Sequence, residues 1–238
     1  MEVTTSALVF SALKYGEADL IVSCFTRCDG IKNYLVRGVL KSRKGKLKPS
    51  YFQPLTQLEL VAVHKNKGSL ERIKEAKVIA PYQTLHTNVI KSGMVMFLSE
   101  MLRNSIKEEE ANEELYDYLE QSIQWLDDNE AIANFHIFFL LKLSAYLGFY
   151  PDTSNIKSQY FNLLEGNFVE SPFGNYCEKG DSVEAIKGFF GIDFDALPGI
   201  KLEKKIRIEA LNLLLFYYQL HLQSYKKPKS LVVLNQLF

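Results

Sequence analysis

The chain is poor in cysteine and histidine, and it has no clean apolar run long enough to cross a bilayer. Each shortage removes a class of protein. Cys24, Cys28 and Cys177 are the only cysteines in 238 residues. So sparse and odd a set excludes a disulfide framework and suits a reduced compartment. Cys24 and Cys28 lack a second pair or a nearby His to complete four ligands, so no metal and no cofactor is expected. His64, His86, His136 and His221 stand in no ligand spacing, and no nucleophile elbow, P-loop or dinucleotide fingerprint occurs. His136, on an apolar helix, reads as a core residue, and Glu108 to Glu114 as a solvated helix start. Nothing here names a catalytic residue, so the chain is expected not to be an enzyme. The most apolar stretch, Ala131 to Phe149, carries Asn134, His136 and Lys142 and falls short of the roughly 20 residues that span a membrane. Met1 to Thr5 lacks the features of a signal peptide, which predicts a cytoplasmic location with no membrane contact.

A surplus of charge is also missing overall, but not locally. Residues 1–80 hold 14 Lys and Arg against 7 Asp and Glu, so this part carries seven excess positive charges and the remainder seven excess negative ones. Two parts with different partners are implied.

Up to about Ala80 the residues form short runs rich in Val, Ile, Thr, Phe and Tyr: Val3 to Leu13, Asp19 to Thr26, Gly30 to Leu40, Gln53 to Val63 and Ser69 to Ala80. Asp29-Gly30 and Asn66 to Gly68 supply the positive φ that tight hairpins need. Five meandering strands suit a small closed barrel, and the OB-fold is the candidate. After Pro81 the period becomes helical. Thr84 is expected to cap a helix to Asn104, a second runs through Leu115 to Leu126, and Asp127 or Asp128 caps a third over Ala131 to Leu147. That third helix is apolar nearly all round and belongs at the centre of a bundle. Residues 150–180 read as an irregular insertion, followed by helices over Ser182 to Phe190 and Leu202 to Tyr225. The expectation is an α+β protein: an OB-fold barrel over 1–80 and an α-helical domain over 81–238.

Lys41-Ser42-Arg43-Lys44-Gly45-Lys46-Leu47-Lys48 packs five cations into eight residues, and Arg27, Lys32 and Arg37 lie just upstream with only Asp29 to oppose them. Such density repels itself unless a polyanion gathers there, and displaced counterions are the usual source of nucleic-acid affinity. On its own the run also fits a solvated loop. Joined to strands of an oligonucleotide-binding barrel, with Tyr34 and Tyr51 beside it as candidate stacking surfaces, it reads as a backbone-binding loop. Each tyrosine taken alone also fits a barrel residue.

The order of features resembles a known family. Ala7-Leu8-Val9, Tyr15-Gly16-Glu17-Ala18-Asp19-Leu20-Ile21-Val22 and Phe25-Thr26 open it, and Arg37-Gly38, Lys41-Ser42-Arg43 and Gln53-Pro54-Leu55-Thr56-Gln57-Leu58-Glu59-Leu60 come next. Phe138 to Leu143, Leu147-Gly148-Phe149-Tyr150-Pro151, His221 and Lys229-Ser230-Leu231 complete it. Together they resemble the bacterial RecO family of recombination mediators. The resemblance implies a nucleoid-associated protein that binds single- and double-stranded DNA and anneals complementary strands. It also implies RecR and single-strand-binding protein as partners, with RecA loaded indirectly. The family's DNA-binding function maps onto Arg37, Lys41, Arg43, Lys44, Lys46 and Lys48. From the residues alone, an RNA-directed OB-fold protein or a scaffold for an acidic peptide remains open. Many family members bind zinc through two cysteine pairs after the Gly-Tyr-x-Pro-like element. Here Asp152 to Lys179 holds Cys177 alone, with Asn155, Ser158, Ser171 and Gly174 where cysteines are expected. Zinc is therefore expected to be absent, with packing by Phe161, Leu163, Phe168 and Phe173 in its place.

Overall fold

The computed structural model describes residues 1–41, 46–65, 67–107 and 110–238. They divide into two compact units, Met1–Asp128 and Asn129–Phe238.

In the first unit, alternating apolar and polar residues make five strands: β1 (Glu2–Tyr15), β2 (Asp19–Thr26), β3 (Gly30–Val36), β4 (Gln57–Val63) and β5 (Arg72–Val78). They form one antiparallel sheet in the order β3-β2-β1-β4-β5. The sheet curls until its edges meet. The Glu71 N–H donates to Asn33 O at 2.7 Å and the Leu35 N–H to Glu71 O at 3.0 Å, a parallel bridge that closes the barrel. A register shift between Val9 and Ser11 bends β1, as closure requires. The result is an N-terminal OB-fold in an α+β chain. Inward-facing Ala7, Val9, Val22, Cys24, Tyr34, Leu58, Leu60 and Ala62 fill it, each 0% exposed.

Two helices complete this unit, α1 (Val89–Ser105) and α2 (Glu113–Asp128). The sequence division at 80/81 marks where the strands end, but the compact unit runs on to Asp128. The reason is aromatic packing: Phe10 stacks on Phe25 at 5.9 Å and Phe25 on Tyr116 of α2 at 6.1 Å. Helix α1 starts later than expected. Asn88, not Thr84, is its cap, and the Asn88 side chain accepts from the Ile90 and Lys91 N–H groups. Asp127 likewise caps no third helix. Its carboxylate accepts from the N–H groups of Gln83, Thr84 and Leu85 at 2.8, 2.8 and 2.7 Å, while buried Lys91 donates to the Asp127 carbonyl at 2.6 Å. These bonds tie the strand-to-helix connection to the end of α2.

The second unit is built around α3 (Phe135–Tyr146), α4 (Asp181–Lys187), α5 (Lys204–His221) and α6 (Leu231–Leu237), the last of which the sequence reading missed. Helix α3 is buried along nearly all its length, as its apolar circumference demands. Burial, and then the charge of Arg207, push the His136 pKa down to about 3, so this core histidine is neutral. Tyr217 and Tyr218 donate to Phe149 O and Leu140 O at 2.7 and 2.6 Å, which satisfies both buried hydroxyls. The 150–180 stretch is less irregular than expected. It holds a small antiparallel sheet of β6 (Tyr160–Asn162), β7 (Asn167–Val169) and β8 (Cys177–Glu178), in the order β7-β6-β8. Gly166 turns β6 into β7 at φ +66°, and a Cβ there would lie 2.5 Å from the Tyr217 hydroxyl, so both conformation and space require glycine. Phe161, Leu163 and Phe168 are buried in this element, but Phe173 is 59% exposed and not part of its core.

Candidate nucleic-acid interface

Barrel closure creates a hollow. Residues from the end of β3 and the turn after it (Leu35, Val36, Arg37, Val39), from Lys46-Leu47, from the β4–β5 connection (Lys65, Leu70, Glu71) and from β5 (Arg72, Ile73, Lys74) surround about 600 Å³. Five of these are cations and one is an acid. The acid, Glu71, is 4% exposed and its two oxygens accept from the Lys65 N–H at 2.9 Å, so it is largely withdrawn from the surface. On β5 the period of two sends Ile73 into the core and leaves Arg72 and Lys74 together on the outer side. Lys46 pairs with Glu75 at 3.0 Å and Lys74 with Glu2, whereas Arg37 and Arg72 make no side-chain ion pair among the described residues. Exposed pairs of this kind exchange readily for other anions. The trough thus offers a row of cations over the apolar floor of Leu35, Leu47 and Ile73, a surface suited to a phosphodiester backbone.

Two family models match the chain: Recombination protein O N terminal over residues 1–82 and Recombination protein O C terminal over residues 86–231. The chain belongs to the RecO family. Proteins named DNA repair protein RecO from Christiangramia forsetii and Flavobacterium psychrophilum are 54% and 46% identical to it, with all of both chains aligned in each case. One of the same name from Phocaeicola vulgatus is 35% identical over 98% of each chain. Membership in the RecO family places this chain in DNA repair and recombination, and among the described residues no helix is long and apolar enough to cross a membrane.

The cations singled out in this RecO sequence scatter more widely than their spacing suggests. Arg37 and Lys46 line the trough. Lys41 is exposed and paired with Glu17 at 2.5 Å, and Lys48 is exposed just before a 3-10 turn at Pro49–Phe52. Arg43 and Lys44 lie outside the described residues. Arg27 is elsewhere: its guanidinium meets Asp117 at 2.8 Å and Glu113 at 3.3 Å and lies over the Tyr116 ring. Lys32 is a further correction, at 7% exposure, because it sits opposite Cys24 on the inner side of β3. Tyr34 is another. Its ring is 0% exposed, so no base can stack on it, and its hydroxyl lies 2.8 Å from His64 Nε2. Tyr51 is half-buried against the barrel core. The sequence reading missed Lys65, Arg72 and Lys74, whose signal was the alternation of cation, Ile73 and cation on a strand.

The insertion does not fit the zinc ion that the family resemblance raised. Cys177 is its single thiol and donates to Phe173 O at 3.2 Å, and among the described residues no three His, Cys, Asp or Glu side chains are grouped to hold a metal.

Proposed function

We propose that this RecO protein binds single- and double-stranded DNA along the trough that Lys46 and Leu47 help to line and anneals complementary strands. In concert with RecR, it would help RecA onto DNA coated with single-strand-binding protein, in the cytoplasm at the nucleoid. The observation that carries the reading is the gathering of Arg37, Lys46, Lys65, Arg72 and Lys74 around one hollow with a single, buried acid. Annealing is a non-covalent task. Two strands repel through their phosphates, and a surface that neutralises one backbone lowers that repulsion while bases search for register. No nucleophile or metal is required.

The test is the salt dependence of oligonucleotide binding by the full chain. Replacing Arg37, Arg72 and Lys74 by Ala is expected to flatten the log K against log salt slope by up to about 0.7 per lost phosphate contact on single strands. A slope equal to that of the unaltered protein overturns the reading. Annealing of strands coated with single-strand-binding protein, with and without RecR, then tests the mediator role.

A further inference from the structure

The outer face of β1, β2 and β3 carries two rows that lead away from the trough. Leu13, Ile21 and Leu35 stand directly opposite one another across the three strands, and so do Ser11, Ser23 and Asn33. Leu35 belongs to the trough, while Leu13, Ile21 and Asn33 line a second hollow of about 370 Å³ whose far wall is Arg103 and Ile106 at the end of α1. A small hollow beside β3 shares Leu70 and Glu71 with the trough and Ile31 and Asn33 with the second hollow. Leu13 is 57% exposed, and Arg103 makes no side-chain hydrogen bond or ion pair among the described residues. Lys107 donates to the Arg103 carbonyl at 2.8 Å, so the negative end of α1 is already offset by a cation.

We infer that a single DNA strand continues from the trough across this face, with bases on the Leu13–Ile21–Leu35 row and a phosphate on Arg103. The occupant is argued from continuity and charge. The path begins in a trough of five cations and ends at Arg103 and Lys107. Between them the outer rows of β1, β2 and β3 offer Leu13, Ile21, Ser11, Ser23 and Asn33, apolar or small uncharged side chains that accept any base. The inference rests on the trough being the DNA site, and Arg103 extends that site from the barrel onto α1.

Oligo-dT of about four nucleotides and of about 16, the limits of OB-fold site sizes, is titrated against four full-length forms: unaltered, Arg103→Ala, Leu13→Glu and the trough variant Arg72→Ala/Lys74→Ala. Thermal melts check that each is folded. The inference expects Arg103→Ala to lower the salt slope for the long strand by up to about 0.7 and Leu13→Glu to weaken it roughly ten-fold. Both should leave the short strand unchanged, and Arg103→Lys should restore the slope. If both groove variants bind the long strand normally while the trough variant is weakened, the inference fails and the trough reading stands. If the trough variant binds both strands normally, the trough reading itself fails. Loss of binding to an acidic peptide with unchanged DNA binding would give the groove to a protein and overturn the inference.

Discussion

The hydroxyl of Tyr34 and the Nε2 of His64 meet at 2.8 Å inside the barrel, and the Asp29 carboxylate holds the Nδ1 side of the same ring. A carboxylate only accepts, so Nδ1 carries the proton, and in the neutral imidazole Nε2 accepts from the Tyr34 O–H. Desolvation alone would raise the Asp29 pKa, but the bond from His64 holds it below the ordinary carboxylate range. The chain of three side chains joins the β2–β3 turn, β3 and the end of β4. Tyr34→Phe leaves His64 without its buried partner and should cost about 1–3 kcal/mol in urea unfolding. DNA affinity and its salt slope should stay unchanged, and a loss of affinity in the folded variant would contradict the burial of the ring.

Arg27 and Arg37 make a matched pair for testing which cations count. Arg27 faces Asp117 and Glu113, while Arg37, at the trough, makes no ion pair among the described residues. Arg27→Ala is expected to leave the salt slope of DNA binding where it was, since Arg27 is not among the residues that line the trough. Arg37→Ala should lower it by up to about 0.7 on single strands. Equal slopes for the two variants would show that proximity in sequence matters more than position in the barrel.

Asp127 makes acid stability measurable. Burial would raise its pKa, but the N–H groups of Gln83 and Thr84, the Thr84 hydroxyl and the Leu85 N–H together hold it below the ordinary value. A carboxyl depressed on folding contributes stability above its unfolded pKa of about 4, and that contribution disappears as pH falls through the lower folded value. Asp127→Asn places an amide N–H₂ against backbone donors and should cost about 1–3 kcal/mol at neutral pH. Its melting temperature should also decline less between pH 6 and 3 than that of the unaltered protein. A parallel decline in both would sink this account.

The three thiols should separate by burial. Cys24 is 0% exposed, and desolvation pushes its pKa far up. Cys28 is exposed, with its pKa raised by desolvation and then by the Asp29 charge, and Cys177 is half-buried. A disulfide exchange reagent at pH 8 should modify two thiols in the folded chain and the third only after denaturation. Three thiols reacting before unfolding would mean that the barrel opens.

Much of the fold was legible because its signals are local. Period-two alternation and Asp29-Gly30 marked the barrel strands and the β2–β3 hairpin to within a few residues, and the circumferential apolarity of 135–143 marked a buried helix. Helix starts were less legible, because Thr84, Asn88 and Asp127 are all good caps and only the packing of 83–85 against α2 chose among them. Residues 160–178 looked irregular because strands of two or three residues are too short to show a period. In the candidate site, the cation-rich run was plain, but the lining of the trough was not.

By itself, the sequence determined the number and order of the five barrel strands, the excess positive charge of the first eighty residues and the largely helical character of the chain beyond Pro81, since each depends on neighbours a few positions apart. Only the tertiary structure decided which cations share a surface. Closure between Asn33-Leu35 and Glu71 brings Arg37 beside Arg72 and Lys74, and the inward side of β3 buries Tyr34 fully and Lys32 nearly so. Barrel closure pairs backbone groups nearly forty residues apart, and composition and spacing do not encode which edges will meet.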